Sequence, residues 1–134
     1  MADDKRHVHE ATATADAQGV RSGDGVVAVS LALAGDADAS PDTTTPEHLM
    51  AAALAGCLQQ ALTVAASTQN SDFAPTVTST VTLTTGEGGG YTALFDLVVS
   101  GPQGAQGDQL LEQAKVLCPF TKALDSERLT VRLA

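Results

Sequence analysis

The chain has 134 residues, of which 43% are hydrophobic and only 3% aromatic, with no Trp; a core built from Ala, Val and Leu lets helices approach closely. Sixteen acidic residues against seven basic ones give a formal charge of −9, which repels nucleic acid and anionic membrane, and no basic cluster overrides it. Those two classes of partner are excluded, and a chain of this size, read as one domain over residues 1–134, gains core area by dimerising.

Residues 1–5 are expected to be disordered, and the polar start MADDKRHVHEATATADA lacks the apolar stretch of a signal peptide. The longest apolar run is broken by His48, Gln59, Gln60 and Thr63, so the chain reads as soluble and cytoplasmic, where thiols stay reduced. HVHEATATA and VVAVSLALAG alternate with period two about RSGDG, which predicts an antiparallel hairpin. GDADASPDTTT has turn chemistry and no periodicity and predicts a loop, a plausible place for a site. Thr45, Pro46 and Glu47 form a helix start, with a capping hydroxyl, a proline suited to the first helical position and an acid at the positive end of the dipole. The helix is expected to run to Ala66 with Leu49, Met50, Leu54, Leu58, Leu62 and Val64 around its axis, a buried central helix whose small residues 51–56 admit another backbone.

TVTSTVTLTT and YTALFDLVVSG predict a second hairpin across the turn GEGGG, with Tyr91 and Phe95 supplying bulk. Asp108 is positioned to cap a second helix that places Leu110, Leu111, Ala114, Leu117 and Cys118 at core spacing and is interrupted by Pro119. A short PFTKAL turn and the alternating strand LTVRLA complete the order ββ-α-ββ-α-β, an α+β fold with mostly antiparallel pairing.

Cys57 and Cys118 are 61 residues apart and fit neither a metal motif nor a local clip. Cys118 precedes a proline that can open a new helical turn, where free N–H groups and Lys122 would lower its thiol pKa; it reads equally as a small apolar core residue. Cys57, in mid-helix, has no dipole to help it and by the residues alone reads as an inert core thiol. Glu47 lies about 15 Å along the axis from Cys57, beyond contact within one chain, and is an ordinary first-turn acid unless a partner subunit brings it to the site. His7 and His9 share a strand face without further ligands, so no metal site is expected. His48 is a weak general-base candidate. GEGGG lacks the lysine and helix of a phosphate loop.

TPEHLMAAALAGCLQQAL resembles the signature N-P-E-x-L-x-A-A-x-x-A-x-C of the OsmC/Ohr family of organic hydroperoxide reductases, and CPFTKAL resembles its C-P-[YF]-[ST]-x-A, with ATAT and SGDG matching near the start. The match is nearer to the Ohr branch than to OsmC proper. The resemblance implies an intertwined homodimer in which antiparallel sheets wrap two central helices. It implies that Cys57 is the peroxidatic thiol and Cys118 the resolving thiol of an intramolecular disulfide, acting on alkyl or fatty-acid hydroperoxides without a bound cofactor. The reductant would be a lipoylated protein or another dithiol. The family also uses an arginine within A-T-A-T-G-G-R-D-G, held by the glutamate that Glu47 matches. Here the sequence is ATATADAQG, with Ala17 at the arginine's position and Arg21 the nearest alternative cation, either turned into the site or solvated at the hairpin tip. A dimer with weak or lost peroxidase activity that binds a small apolar ligand or senses oxidants is the alternative reading, and a purely structural dimer a third.

Overall fold

The first sheet owes its shape to Asp16 and Gly19. The structure, a computed structural model, describes residues 6–35 and 42–134. Strands β1 (Ala13–Asp16) and β2 (Gly19–Ser22) pair antiparallel in the register Ala13↔Ser22 to Asp16↔Gly19. Asp16 closes the turn between them, its Oδ1 accepting the Gln18 backbone N–H at 2.8 Å. Gly19 follows at φ +132°, and a Cβ there would meet the Val29 carbonyl oxygen at 2.2 Å, so no other residue fits. Strand β3 (Ala28–Leu31) pairs antiparallel with β2, and the two-residue β4 (Thr43–Thr44) pairs parallel with β3.

The predicted reversal at RSGDG stands between β2 and β3, with the Ser22 N–H donating to the Val27 carbonyl at 2.8 Å and the Gly25 N–H to the Ser22 carbonyl at 2.9 Å. The Asp16 turn adds an earlier reversal, so Arg21 and Ser22 belong to strand β2 rather than to the turn. Part of the predicted loop GDADASPDTTT is strand β4, while 36–41 of that loop, like residues 1–5 with their expected disorder, lie outside the described residues. Residues Met1–Pro46 form one compact unit and Glu47–Ala134 a second.

In the second unit helix α1 (Pro46–Thr68) starts where predicted and runs two residues further. It is not buried all round within this chain. Leu54, Leu58 and Leu62 are fully buried with Ala61, Ala65 and Ala66, while Ala52, Ala53, Gly56 and Val64 are exposed. By length and composition α1 could cross a membrane, but its leucine face packs into a protein core.

Strands β5 (Thr76–Thr85) and β6 (Tyr91–Ser100) pair antiparallel over ten positions, Thr76↔Ser100 to Thr85↔Tyr91, as predicted, although Tyr91 is exposed and only Phe95 packs against the core. Helix α2 (Gly104–Leu117) begins four residues before Asp108, with Gln103 at its N-cap, so Asp108 lies inside the helix and does not cap it. Gly107 permits that early start: a Cβ there would crowd the Pro102 backbone at 2.9 Å. Leu110, Leu111 and Ala114 are buried, whereas Leu117 is exposed.

Helix α3 (Pro119–Ala123) stands where a turn was expected, and β7 (Leu129–Leu133) pairs parallel with β6, at the edge of the sheet order β5-β6-β7. The helical crossover through α2 and α3 accounts for the parallel pairing. One cluster of Leu54, Leu58, Leu62, Leu97, Val99, Leu110, Ala114 and Cys118 joins α1, β6 and α2.

Replacing Leu97, fully buried at the centre of β6, by alanine is expected to lower the unfolding free energy by about 2–5 kcal/mol, the range for a core leucine left as a cavity. Urea denaturation checks this; a loss within error would mean that the cluster is not the core.

Candidate active site

Proline 119 ends α2 because its nitrogen carries no proton for the helical ladder and its ring pushes the preceding residue out of the helical region. Cys118 accordingly sits at φ −81°, ψ 111°, at once the C-cap of α2 and the N-cap of α3. Its own N–H still donates to the Ala114 carbonyl at 2.8 Å, which holds the backbone in place. The first free N–H groups of α3 belong to Phe120 and Thr121, and they face the residue that caps it.

Cys57 lies on α1 at the border of its leucine face, half-buried, one residue before Leu58. The two sulfurs, from α1 and from the α2–α3 junction, are 3.3 Å apart, within hydrogen-bond reach and unbonded. Cys118 has no exposed surface, so a molecule arriving from solvent meets Cys57 first.

The two thiols differ in acidity. Burial pushes the Cys57 thiol up and the proton shared with Cys118 pushes it further, while the Phe120 N–H only partly offsets them. Burial opposes ionisation of Cys118 as well. There, however, the backbone N–H and hydroxyl of Thr121, the Cys57 thiol and the Phe120 N–H outweigh burial and hold the thiol below its ordinary range. The pull comes from the opening turn of α3 and not from Lys122, which is exposed. Thr121 was missed in the sequence reading. Its signal was the spacing: three residues after a capping position, the place whose N–H a capping group engages. Its hydroxyl also donates to the Cys118 carbonyl at 3.2 Å.

Glu47 lines a separate cavity of about 210 Å³ with His48, Ala51, Ser79, Thr80 and Val81. Among the described residues its Oε2 is buried without a hydrogen-bond partner, and so is the Ser79 Oγ. Arg21, in the first unit, donates to Asp16 Oδ2 at 3.0 Å, and its side chain is half-exposed. The Gln18 backbone N–H and then this guanidinium hold the Asp16 carboxyl below its usual range. His7 lies 3.6 Å from Glu10 on the exposed surface. Among the described residues no group of three His, Cys, Asp or Glu side chains is arranged to hold a metal ion.

The sequence matches the family profile described as OsmC-like protein over residues 35–134. Among solved structures, the organic hydroperoxide resistance protein OhrB of Bacillus subtilis is 28% identical, with a TM-score of 0.80 over 96% of this chain and 98% of that one. An organic hydroperoxide resistance protein from Elizabethkingia anophelis is 24% identical, with a TM-score of 0.79 over 98% of this chain and 99% of that one. A Vibrio cholerae protein holding captopril in one of its active sites is 23% identical, with a TM-score of 0.85 over 98% and 95% of the two chains. The last two likenesses speak for the fold alone, and no curated protein sequence matches this one. With three-quarters of its length under that profile, the chain belongs to the OsmC-like protein family.

Proposed function

We propose that this protein is a cytoplasmic thiol peroxidase that reduces organic hydroperoxides, alkyl or fatty-acid, to alcohols. Cys57 is the attacking thiol and Cys118 is its base and resolving partner. The observation that carries this reading is the 3.3 Å approach of the two sulfurs, one open to solvent and the other buried and acidified. Membership of the OsmC-like family and likeness to a structure named for organic hydroperoxide resistance support it.

The first proton of the pair leaves from Cys118, where Thr121 and Phe120 N–H groups stabilise the thiolate. When a hydroperoxide reaches Cys57, the Cys57 proton passes across 3.3 Å to Cys118. The Cys57 sulfur then forms a bond to the terminal peroxide oxygen as the O–O bond breaks. The departing alkoxide takes the proton back from Cys118 and leaves as alcohol, with Cys57 oxidised to a sulfenic acid. The Cys118 thiolate next attacks the Cys57 sulfur, the S–O bond breaks, and hydroxide leaves as the S–S bond of about 2.05 Å forms. A dithiol, such as the dihydrolipoyl group of a protein, reduces that disulfide and is itself oxidised to a disulfide. Both sulfurs lie in the unit formed by Glu47–Ala134.

The exposed face of α1 with Ala52, Ala53, Gly56 and Val64 supports a homodimer, since small residues admit a second backbone. One observation favours a second reading, an attenuated peroxidase that binds a small apolar ligand or senses oxidants. Among the described residues no hydrogen-bond partner meets the buried Glu47 Oε2, and Arg21 is engaged by Asp16. Under the first reading the thiols need no such cation, because the N–H groups of Phe120 and Thr121 stabilise the charge on Cys118.

Stopped-flow reaction of the reduced protein with tert-butyl hydroperoxide is expected to be faster than that of free cysteine and to consume both thiols of each chain in one intramolecular disulfide. A rate equal to that of free cysteine, with no disulfide, overturns the first reading in favour of the second. Cys57→Ser is expected to reduce the rate to the free-cysteine level. Cys118→Ser is expected to slow the reaction and to stop it after one turnover at a sulfenic acid, which dimedone labelling detects.

Acidity provides a separate check. Thiolate absorbance at 240 nm in Cys57→Ser, which reports Cys118, is expected to titrate below the usual thiol value of about 8.5. In Cys118→Ser, which reports Cys57, it is expected to titrate above that value. Because a lowered pKa keeps the thiolate present at lower pH, the reverse order would remove Cys118 as the base.

A further inference from the structure

We infer that the cavity bordered by the end of α2, helix α3 and strand β7 is a binding site for a small organic acid, a carboxylate carrying a short aliphatic chain, a property separate from the peroxide chemistry. The cavity measures about 310 Å³ and is lined by Lys115, Thr121, Lys122, Ser126, Leu129 and Val131. All six belong to the unit formed by Glu47–Ala134. Neither cysteine lines it, and it meets the thiol site through Thr121, whose hydroxyl donates to the Cys118 carbonyl.

Charge selects an anion. The chain carries sixteen acidic residues against seven basic ones, yet two lysines and no acid line this cavity. Among the described residues Lys122 enters no ion pair. Lys115 pairs with Glu112 at 3.2 Å, but that carboxylate is 72% exposed, and an ion pair so open to water yields readily to a competing anion. Asp125, beside Ser126 in sequence, is engaged within its own turn, where it accepts the Glu127 backbone N–H at 3.0 Å.

The rest of the lining selects the kind of anion. A lysine ammonium is a point charge on a flexible stem, so one from α2 and one from α3 can meet on a single carboxylate, and the Ser126 hydroxyl adds a neutral donor. Leu129 and Val131 are partly buried side chains packed against the core. Phosphate or chloride would leave that aliphatic surface facing water, whereas an alkyl chain covers it and gains by doing so. The space of about 310 Å³ is roughly ten times the share of one water in the liquid, about 30 Å³, which leaves room for a carboxylate and a short chain.

The test is a titration of the reduced full-length protein, without peroxide, with millimolar sodium octanoate at fixed ionic strength, followed by amide and methyl NMR spectra. Saturable shifts are expected at the six lining residues, and none with equal concentrations of octanol, which lacks the charge, or of inorganic phosphate, which lacks the chain. Lys122→Gln, at an exposed position, is expected to keep the fold and to weaken octanoate binding about tenfold, as loss of a hydrogen bond to a charged group does. Arg132→Gln, which removes an equal charge outside the cavity, is expected to leave binding unchanged. Octanoate shifts in Cys57→Ser are expected to equal those of the unaltered chain, so the outcome is independent of the peroxidase reading. Shifts that grow linearly, that centre on Cys57 and α1, that octanol or phosphate reproduces, or that survive Lys122→Gln in full overturn the inference.

Discussion

The end of helix α2 is the constraint on which the candidate site depends. Because Pro119 has no N–H, the ladder of α2 stops and Cys118 takes an extended conformation between two helices. That single break has two results. It turns the Cys118 sulfur toward α1, where it meets Cys57 at 3.3 Å, and it opens a new helical turn whose first N–H groups stabilise a thiolate on Cys118. An uninterrupted helix would have left Cys118 one more apolar residue, its neighbouring N–H groups consumed by the ladder. The apolar cluster then holds the junction still, since Cys118 is packed with Leu54, Leu58, Leu110 and Ala114. The site is thus an extension of the core, and α1 supplies both the leucine face and the second sulfur.

What the sequence revealed and what it concealed separate along the same physical line. Patterns carried by one element were legible: the proline start of α1, the strands β5 and β6 on either side of their glycine turn, the break at Pro119 and the burial of Cys118. Features decided by a contact between elements were not. The early turn at Asp16 depends on one side-chain hydrogen bond and on a Gly19 pressed against Val29. The early start of α2 depends on Gly107 packing against Pro102, which Asp108, a residue with strong capping chemistry, gave no hint of. The half-exposed state of α1 also escaped a reading by periodicity, because Ala and Gly carry almost no amphipathic signal.

The cysteine pair shows the same division. From local chemistry Cys118 read as the easier thiolate, and family likeness gave first attack to Cys57. The structure contains the ground for each: acidity at Cys118, from the N–H groups of α3, and access at Cys57, from its place at the margin of the leucine face. No single-residue reading could reconcile them, because the reconciling quantity is the distance between the sulfurs.

That distance also bears on the absent arginine. A thiol that must ionise unaided while half-buried needs a cation close by, since desolvation raises its pKa, and with Ala17 at the arginine's position that cation is missing from the signature. A thiol whose proton is taken by an already ionised neighbour needs less. Under the proposed peroxidase reading the charge is formed on Cys118, where backbone donors stabilise it, and is lent to Cys57 only while the O–O bond breaks. In such an arrangement the arginine's share of the work falls to the N–H groups of Phe120 and Thr121, and Glu47 is freed from holding it. An acid released in this way keeps its place in the first turn of α1 by its favourable interaction with the helix dipole.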